Sequence, residues 1–84
     1  MERGGYVYII TNTHHTTLYV GMTSNLQRRI QQHKQKYYPR SFSARYNLHK
    51  LVYYEVFSRI EEAIAREKQL KSGNRKKKEM LILT

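Results

Sequence analysis

The first well-patterned stretch of the chain is a nearly unbroken apolar run, Gly5-Tyr6-Val7-Tyr8-Ile9-Ile10-Thr11, rich in β-branched and aromatic residues. It predicts a strand. A polar turn, Asn12 to Thr16, separates it from a second short strand at residues 17–21. Two strands with so short a link form an antiparallel hairpin. Alternation puts Tyr6, Tyr8 and Ile10 on one face of the first strand; in the second, Leu18 and Val20 share a face and Tyr19 points the other way. Ser24 followed by Gln27 has the spacing of a capping box and predicts a helix from about Asn25 to Lys36. A looser segment, Tyr37 to Asn47, carries the only proline and room for a short helical turn. Residues 50–57 read as a third strand. Ser58 and Glu61 form a second capping-box pattern, opening a helix that stops near Ser72-Gly73, and a last helix runs from Arg75 to Leu83 with basic residues on its exposed side. The predicted order is β-β-α-(α)-β-α-α, an α/β (α+β) fold, with residues 1–84 as a single domain.

Composition narrows the function classes. The chain has no Cys, which removes disulfide scaffolds, thiolate zinc sites and cysteine nucleophiles. No apolar run is long enough to span a membrane, and the N-terminus has no signal-peptide pattern, so the expected setting is cytoplasmic, with no membrane partner. Hydrophobic residues make up 39%, too many for a disordered basic tail. Sixteen Lys and Arg face six acids, for a formal net charge of +10. The excess is concentrated between Arg28 and Lys50, where seven bases and three tyrosines stand without an acid. Cations that neutralise phosphates, interleaved with flat aromatic faces, point to a nucleic-acid partner. Lys34, Lys36, Arg40 and Arg45 in this stretch, with Lys76 and Lys77 of the last helix, are the candidate nucleic-acid contacts.

Two helices each carry a polar residue on an apolar face. In the first, Leu26 and Ile30 lie together, His33 falls beside Leu26 in angle and Arg29 lies just off that edge, while Arg28 points nearly the opposite way. Arg29 could simply snorkel over the core rim, and His33 could be a satisfied half-buried histidine. In the long helix, Ile60, Ala63, Ile64 and Leu70 form the stripe, Glu67 falls in its middle, and Glu61 and Glu62 face away. An inward carboxylate must be paired or hold a cation, so Glu67 is either an ion-pair partner of Lys71 or a metal ligand or general base. The other histidines have no metal-ligand spacing, and no Gly-rich phosphate loop is present.

Tyr6-Val7-Tyr8, then Tyr19-Val20-Gly21 with Tyr19 eleven residues after Tyr8, resembles the paired signature of the GIY-YIG nuclease superfamily. The stretch from Met22 to His33 is similar to that family's first helix. Phe42 to Asn47, Leu51-Val52-Tyr53-Tyr54-Glu55 and Glu62 to Lys71 resemble its small stand-alone bacterial branch. The resemblance implies a three-stranded antiparallel sheet with flanking helices. Carried over by position, it implies Tyr8, Tyr19, Arg29 and His33 as catalytic groups and Glu67 as the ligand of a single Mg²⁺ or Mn²⁺ ion. Tyr6 stands in place of the first glycine, Met22 where many members have a lysine, and Asn74 is the only asparagine downstream of Glu67.

The implied activity is metal-dependent hydrolysis of phosphodiester bonds in DNA, as in repair or recombination intermediates, by a monomer. In that scheme Tyr19 deprotonates or orients the attacking water, which requires a nearby cation because a free tyrosine has a pKa of about 10. Tyr8 hydrogen-bonds in the same pocket, Arg29 grips the scissile phosphate, and His33 orients it or relays a proton. A nucleic-acid-binding module without chemistry is the alternative, and an adaptor using the tyrosine-rich third strand as an edge is a further one.

Overall fold

The computed structural model describes residues 4–36 and 40–83. The part of the loose segment that holds Tyr37, Tyr38 and Pro39 lies outside the described residues. The elements are β1 (Gly5–Thr11), β2 (Leu18–Thr23), α1 (Leu26–Lys34), α2 (Phe42–Arg45), β3 (Lys50–Phe57), α3 (Ile60–Ser72) and α4 (Arg75–Leu83). The strands form one antiparallel sheet in the order β2-β1-β3. This is the expected α/β (α+β) architecture.

The central position of β1 explains its unbroken apolar run. Both of its edges are paired and both of its faces are covered. Val7 and Ile9 pack with Val20, Ala63 and Leu70, so α3 lies on that face. Tyr8 and Ile10 pack with Leu48 on the other face, joined by Tyr19 and by Leu26 and Ile30 of α1. The predicted alternation along β1 and β2 thus sorts side chains between two small cores. Gly5 is required by the first of them: a Cβ there would lie 2.8 Å from both Ala63 Cβ and Ile60 Cδ1. β1 and β3 pair with a bulge between Ile9 and Ile10, which leaves Val52 of β3 as the extra residue.

The helix ends differ from the capping-box reading. The N-cap of α1 is Asn25, whose Oδ1 accepts from Arg28 N at 3.0 Å. β2 runs on to Thr23, pairing with Tyr6, so the chain leaves the sheet late and the helix starts one residue further on. Its C-terminus comes at Lys34, with Lys36 in the left-handed region at φ 52°. Ser58 likewise lies one residue too early: Arg59 is the N-cap of α3 and makes no side-chain cap bond. The apolar stripe of α3 is narrower than its sequence suggests, because Ile64 is 36% exposed. α4 is tied down at its start. Asn74 caps it by accepting from Lys77 N, and the Arg75 guanidinium donates to the carbonyls of His15 and Thr16 in the β1–β2 turn.

The cap assignment is testable. Asn25→Ala should lower stability by about 1 kcal/mol in urea unfolding, whereas Ser24→Ala should cost less than about half of that.

Candidate active site

The site grows from Tyr8, which sits opposite Gly21 in the β1–β2 ladder. Its ring crosses the Gly21 backbone so closely that a Cβ on Gly21 would lie 2.4 Å from Tyr8 Cζ and Oη. Only glycine leaves room for the phenol at that point. Tyr8 is 1% exposed, so its hydroxyl needs partners inside the protein. α1 brings them. Arg29 Nε donates to Tyr8 Oη at 3.4 Å, and His33 Nε2 lies 2.9 Å from the same oxygen. His33 Nδ1 is 2.8 Å from Ser43 Oγ, which is 3.2 Å from Ser41 Oγ.

The proton order follows from the chemistry of the three groups. A guanidinium only donates, so Tyr8 accepts from Arg29 and is best placed to donate its own proton to His33 Nε2. His33 then carries its proton on Nδ1 and donates to Ser43. This needs a neutral imidazole, and burial, reinforced by the Arg29 charge, lowers the His33 pKa to about 4. Burial also raises the Tyr8 phenol above its ordinary value of 10.0, against the opposing pull of Arg29; Tyr19 and Glu67 add to the rise. Tyr8 is therefore a neutral donor, and both nitrogens of His33 are engaged within the protein.

Tyr19 is half-buried at the mouth of this pocket, its ring edge-on to His33 with centroids 6.1 Å apart. Lys71 Nζ stands over its face, 5.8 Å from the centroid. The same lysine pairs with Glu67 at 3.4 Å. Glu67 is 21% exposed, and its charge reaches the Tyr8 hydroxyl. One residue earlier, Arg66 clamps α3 to β3, donating from Nε and Nη2 to the Glu55 carboxylate at 3.0–3.1 Å. Tyr53 also donates to Glu55. Burial would raise the Glu55 pKa, but these hydrogen bonds carry it below the usual range. The clamp fixes the height of Glu67 along the sheet.

Tyr8, Arg29, His33, Tyr19 and Glu67 thus share one neighbourhood, drawn from β1, α1, β2 and α3. Beside it, Arg28 and Arg29 line a cleft of about 320 Å³ with Thr23, Ser24 and Asn25. Arg28, which periodicity turns away from the core, nevertheless shares this cleft with Arg29. The surface bases are dispersed. Lys34 borders a groove on the opposite flank of α1, Lys77 borders a cleft between α3 and α4, and Lys36, Arg40, Arg45 and Lys76 are exposed. Sequence reasoning missed Ser43, which lies in an unpatterned segment, and the second contact of Lys71, since spacing within α3 shows only its pairing with Glu67. Asn74 is occupied as the α4 cap. Among the described residues, no group of three or more His, Cys, Asp or Glu side chains converges to hold a metal.

Residues 4–80 match the family model described as the GIY-YIG catalytic domain. The chain belongs to the GIY-YIG family. It is 34% identical over 77 residues to a UPF0213 protein of Syntrophus aciditrophicus (strain SB), covering 92% of this chain and 87% of that one. It is also similar to the solution NMR structure of a UPF0213 protein from Bacillus halodurans, with a TM-score of 0.57 and 32% identity, covering 94% of this chain and 82% of the other. These relatives make up a small stand-alone GIY-YIG group and support a nuclease-like function acting on nucleic acid. No helix among the described residues is long and apolar enough to cross a membrane.

Two outcomes follow from this GIY-YIG pocket. Gly21→Ala should destabilise the fold by about 1–3 kcal/mol in denaturant titration, because the Tyr8 ring has to shift. His33 should impose an acid limit. Its folded pKa of about 4 lies below the unfolded value near 6.5, so the unfolded chain binds the extra proton and stability falls as pH drops from 6.5 towards 4. Urea midpoints measured across that range should fall more steeply for the natural chain than for His33→Gln; parallel slopes would remove His33 as the cause.

Proposed function

We propose that this GIY-YIG domain hydrolyses phosphodiester bonds in DNA with the help of one divalent cation, acting as a monomer on structured substrates such as repair or recombination intermediates. The observation that carries this reading is the convergence of two phenols and one guanidinium around a neutral histidine, with one half-buried carboxylate whose charge reaches the Tyr8 hydroxyl. The net charge of +10 supports a polyanionic substrate, and the Arg28–Arg29 cleft offers its phosphate a place to land.

Arg29 would hold the scissile phosphate, pairing with the charge that builds up on its oxygens as water attacks. The water oxygen bonds to phosphorus, the opposite P–O bond breaks, and the departing oxygen recovers a proton from solvent. Tyr19, with Lys71 over its ring, would orient the attacking water through its hydroxyl or, once it has given its own proton to solvent, accept one from that water as a phenolate. Tyr8 would stay neutral and fixed, and the role of His33 would be to hold Tyr8, since its two nitrogens are already bonded. Glu67 is a single carboxylate, which suits a hard ion that keeps most of its water, Mg²⁺ or Mn²⁺, better than a fully protein-caged metal. Such an ion would supply charge stabilisation to the phosphate.

The Glu67–Lys71 pair favours a second reading, nucleic-acid binding without turnover, because it already neutralises the carboxylate. Met22 adds to it by leaving no lysine after Gly21. The deciding assay is Mg²⁺-dependent cleavage of nicked, branched and flapped DNA. Glu67→Ala and Arg29→Ala should each lower the rate roughly a hundredfold or more. Undiminished cleavage in both variants would refute the assignment, and salt-sensitive binding by the natural chain without metal-dependent cleavage would establish the second reading.

A further inference from the structure

The flank of α1 opposite the Arg28–Arg29 cleft holds a separate groove of about 560 Å³, and the two share no lining residue. Ile30 of α1 and Leu51 of β3 contribute apolar surface. Tyr6 and Tyr54 form a tilted pair on the sheet side, with ring centroids 6.5 Å apart and planes at 53°. Tyr54 is 53% exposed. From α1, Gln27 and Gln31, one turn apart, line the same space, followed by Lys34. No carboxylate lines the groove.

We propose that this groove takes an unpaired nucleobase of a bound strand, stacked on Tyr54, with an adjacent phosphate on Lys34. The inference rests on the nucleic-acid reading of the neighbouring site and adds a place that reads bases. Three observations favour this occupant. An aliphatic partner would strip water from two amide side chains without replacing their hydrogen bonds, whereas a base edge offers both donors and acceptors. The exposed phenol gives a flat face that any base can stack on. A second copy of a chain carrying +10 is repelled electrostatically, whereas a polyanion is attracted to Lys34 and to an acid-free lining. The groove and the arginine cleft are separated by the width of α1, about 10–12 Å with side chains. One strand passing over that helix would therefore meet both. Tyr6, the residue that replaces the usual glycine of the first tripeptide, would brace Tyr54 rather than serve the reaction.

The test is a titration of the natural chain, without divalent metal and at low salt, with a short fluorescein-labelled oligothymidylate, read by anisotropy and by amide chemical shifts. Shifts should appear at Gln27, Gln31, Lys34 and Tyr54. Tyr54→Ala should weaken binding about tenfold, and Tyr54→Phe should not. An abasic oligonucleotide of equal length should bind the natural chain more weakly and be indifferent to Tyr54→Ala. Arg29→Ala should leave the Tyr54 effect intact. Binding that is indifferent to Tyr54, or a Tyr54→Ala loss that persists on the abasic strand, would overturn the groove while leaving the nucleic-acid reading standing. Absence of oligonucleotide binding by the natural chain would bring down both. A concentration-dependent dimer abolished by Tyr54→Ala would assign the groove to a second copy and overturn the proposal.

Discussion

A buried phenol in the central strand cannot be left without partners, and the arrangement of this molecule follows from satisfying Tyr8. Leaving a buried hydroxyl unpaired costs about 1–3 kcal/mol, a large share of the stability of so small a domain. Arg29 and His33 supply the partners, which binds α1 to one face of the sheet. Gly21 gives the ring its space, and Ser43 completes the chain through the short helix α2. Four elements are thereby registered against one hydroxyl. The same arrangement keeps His33 neutral and leaves Arg29 lining the cleft beside the pocket.

The opposite face of the sheet contributes through α3. Ala63 packs at the Gly5 gap, Arg66 grips Glu55 from the sheet, and between these anchors and Leu70 the helix has little freedom to slide. Glu67 is held half-buried at the rim and Lys71 beside it. A half-exposed ion pair of this kind contributes little to stability, so the carboxylate can exchange partners at small cost. The pocket combines a rigid hydrogen-bonded interior with a more adaptable charged rim. In a chain with few acids, one carboxylate near two phenols stands out electrostatically.

Much of this was readable along the chain. β1, β3 and α4 have the boundaries their residue patterns predict, and the opposed faces of Tyr8 and Tyr19 relative to their neighbours follow from alternation. Angular position on the helices distinguishes Arg29, His33 and Glu67 from their neighbours. The capping boxes were less reliable, because Ser24 and Ser58 each stand one residue before the actual cap, and strand pairing decides where the chain leaves the sheet. Ile64 belongs to the stripe by periodicity but is left partly exposed by the tertiary packing.

Local pattern along the chain sets the order of elements, the side of each helix that faces inward, the basic character of the surface and the presence of one acid on an apolar stripe. These depend on composition and on neighbours a few residues apart, and repeat periods of two and 3.6 express them directly. Tertiary structure alone decided that His33 is spanned between Tyr8 and Ser43, that Lys71 covers Tyr19 as well as pairing with Glu67, that Arg28 joins Arg29 in a cleft, and that Asn74 is spent on a cap. Hydrogen bonding and desolvation in the core depend on which distant residues packing brings together, and no local spacing along a chain encodes that.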